Sequence, residues 1–194
     1  MTDDSSSRSL FVAIDRATRW VAIRIFKSKI AANAHHFLRD LERACPLRIC
    51  TVLTDNGKEF TDCLFGMRKR AATGKHDFDS FCADLGIAHC LVPPAHPQTN
   101  GMAERFSGRI EEVLQNHRYH STEDLETTLH RYLLLYDQQL PLSALGSKTP
   151  LQGMKDWHKL KLQLFWNSPN TFRHVTARLS RHICDKLLHC RSQA

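Results

Sequence analysis

A short apolar strand that ends in a carboxylate and turns at once constrains this chain more than any other stretch. It is Thr51 to Phe60, Thr-Val-Leu-Thr-Asp-Asn-Gly-Lys-Glu-Phe. Val52 and Leu53 read as a buried strand. Asn56-Gly57 is a strong turn signal, because both residues tolerate positive φ. Asp55 is thereby delivered to the C-terminal end of the strand, where open α/β sheets place their ligand sites. An Asp before Asn-Gly is ordinarily only a turn residue, so the remaining chain decides what Asp55 does.

Upstream, Leu10 to Ile14 is a strand candidate and Asp15-Arg16-Ala17-Thr18 supplies turn residues. Trp20 to Phe26 alternates, with Trp20, Ala22, Arg24 and Phe26 on one face and Val21, Ile23 and Ile25 on the other, so the pair reads as an antiparallel hairpin. A helix is predicted from about Ala32 to Ala44, with Ala34, Phe37, Leu38, Leu41 and Cys45 on one face and Pro46 ending it. The next strand is predicted over Arg48 to Thr54. Strand, helix and strand form a crossover unit, so this strand is expected to run parallel to one of the hairpin pair.

Downstream, Thr61 to His76 is irregular and basic. Asp77 to Leu85 reads as a short helix with Phe78, Phe81, Cys82 and Leu85 inward and Gly86 at C′. Ile87 to Leu91 is another short strand. Val92 to Gly101 holds three prolines and a glycine and is expected to be a loop. A helix from about Met102 to His117 buries Phe106, Ile110, Val113 and Leu114, and Glu104 lies opposite that stripe in the first turn. A carboxylate there gains from the helix dipole, which is its bland reading. A second amphipathic helix covers Asp124 to about Asp137. Thr149-Pro150 looks like an N-cap with Pro at N1, opening a helix to about Lys161.

Charge is placed unevenly. From Leu151 onward Lys155, Lys159, Lys161, Arg173, Arg178, Arg181, Lys186 and Arg191 face only Asp156 and Asp185, so nearly the whole net charge of +7 lies there. A basic tail on a near-neutral domain suggests a polyanion partner. No apolar run approaches the ~20 residues of a membrane span, and Met1 to Ser9 lacks the apolar core of a signal peptide. A soluble, cytoplasmic chain is expected. The seven cysteines contain no Cys-x-x-Cys pair. They read mainly as small buried hydrophobes, and the spacing of His182, Cys184, His189 and Cys190 matches no zinc pattern.

Hairpin, helix, Asp-ended strand, helix, strand, Pro-rich loop and Glu-bearing helix describe an α/β ribonuclease-H-like core, a mixed sheet flanked by helices. Four segments also resemble the retroviral-type integrase core found in DDE transposases of bacterial insertion sequences. They are Phe11-Val-Ala-Ile-Asp-Arg-Ala-Thr-Arg-Trp20, Leu53-Thr-Asp-Asn-Gly-Lys-Glu-Phe60, His96-Pro-Gln-Thr-Asn-Gly-Met-Ala-Glu-Arg-Phe106 and Ser143-Ala-Leu-Gly-Ser-Lys-Thr-Pro150. The resemblance implies a core over residues 10–157, a disordered N-terminus over 1–9 and a basic, partly disordered C-terminal extension over 158–194. It implies DNA cleavage and strand transfer at transposon ends, with two Mg²⁺ or Mn²⁺ ions held by three carboxylates. Asp55 is then the second acid and Glu104 the third. The spacing between them exceeds the family's usual spacing, and the excess falls in Gly66 to Asp77, which can leave as a surface loop.

The first acid is the difficulty. In this family it sits on a strand before Leu10 to Ile14, so the resemblance implies that this strand and its ligand are missing here. Asp15 ends a strand on a matching segment and is the weak third metal candidate. Its expected role is the hairpin turn with Thr18. Asn100 and Gln98 could touch DNA or cap the helix. Arg105 and Arg109 could meet phosphates or be solvated helix charges, and Lys58 and Arg68 to Arg70 are further phosphate candidates. His96 reads as a loop residue, and Trp20, Trp157 and Trp166 as core or tail packing. The resemblance implies a homo-oligomer acting on transposon ends and target DNA, with no membrane and no small-molecule cofactor. The alternatives are a catalytically inactive transposase fragment that only binds DNA or a full-length subunit, and a nuclease of RNA–DNA hybrids. The Asn100-Gly101-x-x-Glu104 and Ser143 to Pro150 matches count against the latter.

Overall fold

The structure, a computed structural model, describes residues 8–63, 71–93, 97–116, 118–119 and 121–166, with the side chains of 97–100 outside that description. Among the described residues, strands β1 (Ser9–Ile14) and β2 (Val21–Phe26) pair with each other, and β3 (Thr51–Thr54) pairs with β4 (Ala88–Leu91). The helices are α1 (Ala31–Ala44), α2 (Asp77–Asp84), α3 (Pro97–Gln115), α4 (Thr122–Gln138) and α5 (Pro150–Leu160). No helix among the described residues is long and apolar enough to cross a membrane.

Two corrections concern the sheet. The crossover expected between the hairpin and β3 is made instead by β3, α2 and β4, whose strands run parallel with Thr51 opposite Ala88 and Thr54 opposite Leu91. The connection through α2 is long enough to return the chain in the same direction. Among the described residues the strands form two two-stranded sheets. β3 is also shorter than Arg48 to Thr54. Leu47 bridges Phe165, and Arg48 N–H donates to the Leu164 carbonyl at 2.7 Å, so the segment before β3 is drawn to a different partner.

A third correction concerns α3, which begins at Pro97 and so takes in half of the expected loop. Proline is tolerated at a helix start, where its missing N–H would have had no partner. Glu104 therefore lies beyond the first turn, which holds no acidic residue. The dipole explanation for that carboxylate is lost, because the effect fades past the first turn.

The chain forms two compact units. Among the described residues, one gathers 8–12, Ile23–Arg39 and Ile49–Gly108, and the other gathers Ala13–Ala22, Asp40–Arg48 and 109–166. The first has an aromatic core. Phe11 meets Phe26 at 5.1 Å and Phe37 at 5.8 Å, and Phe60 meets Phe78 at 5.1 Å, all edge to face. That geometry sets the positive ring edge against the negative face. His35 stacks on Phe81, and burial lowers its pKa. The α1 stripe behaves as predicted, with Ala34, Phe37, Leu38, Leu41 and Cys45 all buried. Each large side chain so buried contributes about 1.5–3 kcal/mol.

The second unit packs α4 on α5. Leu129, Leu133 and Tyr136 are buried on α4, and Pro150, Gly153 and Met154 on α5. Thr149 caps α5 in a box with Gln152, as Thr149-Pro150 predicted. Asp137 on α4 is 5% exposed, and its Oδ1 accepts from Val21 N–H at 3.3 Å.

Candidate functional site

Asp55 stands one residue past β3 and is exposed, as a ligand-facing carboxylate must be. Its Oδ1 accepts from Gly57 N–H at 3.1 Å, the Asx turn that Asp-Asn-Gly encodes. The turn is tied to β4 by Asn56, whose Nδ2 donates to the Val92 carbonyl at 2.9 Å, and Val92 N–H donates to the Thr54 carbonyl at 2.9 Å. A Cβ at Gly57 would lie 2.7 Å from the end of the Glu59 side chain, which would have to move aside. Glu59 is buried beneath the turn and Lys58 is exposed on it.

Glu104 is exposed on α3, in the same unit as Asp55. Asp55 at a strand end and Glu104 on the helix that follows the neighbouring strand are both exposed carboxylates, the ligand type that suits a hard divalent cation. Among the described residues no group of three or more His, Cys, Asp or Glu is arranged to hold a metal.

Asp15 is the hairpin residue its local sequence suggests. Its Oδ2 accepts from Thr18 N–H at 2.7 Å and from Thr18 Oγ1 at 2.6 Å. The Arg105 guanidinium folds back so that Nε donates to the Gly101 carbonyl of the same helix at 2.9 Å. The Arg109 guanidinium sits 5.9 Å from the Tyr136 ring centroid in the second unit, a cation–π arrangement that holds it against α4. The side chains of Gln98 and Asn100 lie outside the described residues, as do His96, Arg68 to Arg70, and the His182, Cys184, His189 and Cys190 group. Trp20 is buried as expected, whereas Trp166 is 63% exposed with the Arg48 guanidinium 5.8 Å from its ring.

Beside Asp55 the structure shows a side-chain chain that sequence reasoning missed. His89 Nδ1 lies 2.5 Å from Asp79 Oδ1, and His89 Nε2 lies 2.8 Å from Thr54 Oγ1. One signal was available. Ile87, His89 and Leu91 share the inward face of β4, while Ala88 and Cys90 are exposed. A histidine on an inward face needs partners. Its partners come from β3 and α2, and no local pattern names those.

Residues 85–150 match the integrase core domain family. The chain is 26% identical over 194 residues to the transposase for insertion sequence IS1202 of Streptococcus pneumoniae, covering 95% of this chain and 37% of that protein. Its fold is similar to the catalytic core domain of BIV integrase, with a TM-score of 0.55 and 18% identity over 78% of this chain and 88% of that one. A simian T-cell lymphotropic virus intasome in complex with PP2A regulatory subunit B56 gamma matches with a TM-score of 0.56 and 20% identity, over 74% of this chain and 46% of that one. The fold is thus the ribonuclease-H-like fold of retroviral integrase catalytic cores, and the sequence is similar to those of integrases and transposases. It spans less than half the length of the curated relatives it matches.

Proposed function

We propose that this chain is the core of a DNA integrase or transposase in which Asp55 and Glu104 hold a divalent cation, Mg²⁺ or Mn²⁺, for phosphodiester cleavage and strand transfer at element ends. The observation that carries this reading is the exposed Asp55 carboxylate at the end of a parallel strand, in one unit with the exposed Glu104 of α3, on segments that follow the integrase pattern. Two carboxylates suit such a cation, which completes its shell with water and substrate phosphate oxygens. A cation bound there would supply activation of the attacking water or 3′-hydroxyl and stabilisation of the leaving oxygen. The side chains of this chain orient those oxygens and set the local charge. The resemblance implies a second ion and a third acid, and Asp15 is not a good source for it because Thr18 occupies its Oδ2.

DNA is the partner this reading requires, and a net charge of +7 favours it. Lys58 beside Asp55 is a phosphate contact, and the basic segment after residue 158 adds to the attraction. Oligomeric action on DNA is proposed from the likeness to the intasome. A second reading is a core that engages DNA without cutting it; Asp15, the weak third candidate, gives its Oδ2 to Thr18.

Fluorescence anisotropy with a labelled DNA duplex tests the proposal. Mn²⁺ is expected to tighten binding in the wild type and not in Asp55→Asn or Glu104→Gln. Binding that ignores both Mn²⁺ and the two substitutions would remove the metal reading. A nicking assay on the same duplex separates a cutting core from one that only binds.

A further inference from the structure

The strand end that presents Asp55 is braced by a relay that the metal reading does not use. Asp79 belongs to the first turn of α2, where its Oδ2 accepts from His76 N–H at 3.1 Å and so closes the capping box of that helix. Its other oxygen meets His89 Nδ1 at 2.5 Å. A carboxylate only accepts, so Nδ1 carries the proton toward Asp79. In the neutral ring Nε2 then accepts from the Thr54 hydroxyl at 2.8 Å. Thr54 is the last residue of β3, and Asp55 follows it.

Asp, His and a hydroxyl in this order also describe a nucleophilic triad. Burial argues against that use. Thr54 is 8% exposed and the His89 side chain 4%. The Phe78 ring stands edge to face against the imidazole at 5.0 Å. A substrate cannot reach this hydroxyl, but the strand end can be aimed by it. β3 has only four residues and one pairing partner among the described residues. Past Leu91 the ladder ends on one last backbone bond, Val92 N–H to the Thr54 carbonyl, and a short strand frays at such an end unless side chains hold it.

We propose that His89 is a positioning residue for Asp55. Through Thr54 it locks the end of β3 to the first turn of α2, fixing the direction in which the next residue offers its carboxylate. The proposal rests on the reading of Asp55 as a metal ligand. Outer-shell partners of this kind typically cost about 10–100-fold in metal affinity when removed.

The test compares full-length wild type with His89→Gln, which loses the bond to Asp79, and with Thr54→Val, which keeps the shape and loses the hydroxyl. Amide hydrogen exchange at Gly57 reports the turn without metal, and a Mn²⁺ titration reports the site. Each variant is expected to exchange Gly57 faster while α4 and α5 amides keep their rates. Each is also expected to bind Mn²⁺ about tenfold more weakly. A merely structural role would raise exchange throughout, and that result overturns the proposal. So does unchanged exchange at Gly57, or faster exchange with unchanged Mn²⁺ affinity. If His89→Gln fails to fold, Thr54→Val decides alone. If the wild type takes up no Mn²⁺, the metal reading of Asp55 fails, and the Gly57 exchange rates still decide whether His89 holds the strand end.

Discussion

Asp15 and Asp55 each follow a strand and open a turn, yet they use their carboxylates in opposite ways. Asp15 spends Oδ2 on Thr18, bonding both its backbone N–H and its hydroxyl, and Thr18 is fully buried. That turn also holds Arg19 in the left-handed region at φ 62, secured by Arg19 N–H donating to the Asp15 carbonyl at 2.9 Å. Asp55 accepts from Gly57 N–H at 3.1 Å and is otherwise exposed. A carboxylate that gives one oxygen to its own turn serves structure. One that keeps its outer face toward water at a strand end has capacity for a cation.

A third aspartate gives the largest test of this contrast. Asp137 is buried, its Oδ2 has no hydrogen-bond partner among the described residues, and burial pushes its pKa well above the usual carboxylate value of 3.8. The folded state therefore keeps a proton that the unfolded chain releases as pH rises past 3.8. Its contribution to stability is full below that pH and is lost as pH climbs toward the folded pKa. Relative to Asp137→Asn, which does not titrate, wild-type stability should fall by up to about 1.4 kcal/mol per pH unit within that window. Urea melts of both proteins between acidic and neutral pH measure the difference. A pH-independent gap would mean that Asp137 titrates normally.

Next in size, Asp15→Ala should cost about 2 kcal/mol, since hydrogen bonds to a charged group contribute about 1.5–3 kcal/mol each. Asp55→Asn should stay within about 0.5 kcal/mol, as surface changes do. Equal losses in thermal melts would erase the distinction between the two turns.

Much of the fold was legible because it is local. The α1 stripe, the Thr149-Pro150 cap and the positive φ of Gly86 at 68° follow from residue types a few positions apart. The turn after Asp55 was legible too, but not its form: neither Asn56 nor Gly57 takes a positive φ, and the Asp55 side chain closes the turn instead. The misses are pairings across the chain. β3 chose β4, Leu47 chose Phe165, and His89 found Asp79 and Thr54. The early start of α3 was missed because Pro97 reads as a breaker unless it is known to stand at N1.

Smaller effects sharpen the same contrast. Gly57→Ala should destabilise by about 1 kcal/mol, because the new methyl must displace the flexible end of the buried Glu59 side chain. Gly108→Ala, with nothing within 4 Å, should stabilise α3 by up to about 1 kcal/mol. Similar shifts in both melts would mean that the turn is looser than its geometry. Thiol labelling gives the mildest check. Burial raises the Cys45 thiol to about 12 and Cys82 to about 11, so both should resist a disulfide reagent that modifies exposed Cys50 and Cys90. Rapid labelling of Cys45 in the folded protein would contradict its place in the core.

The pairing of Asp55 with Glu104 is tested most directly by calorimetric Mn²⁺ titration of wild type, Asp55→Asn, Glu104→Gln and the double variant. If the two carboxylates share one cation, each single change removes most of the binding and the double change adds little. Effects that simply add, or a wild type indifferent to Mn²⁺, would contradict a shared site.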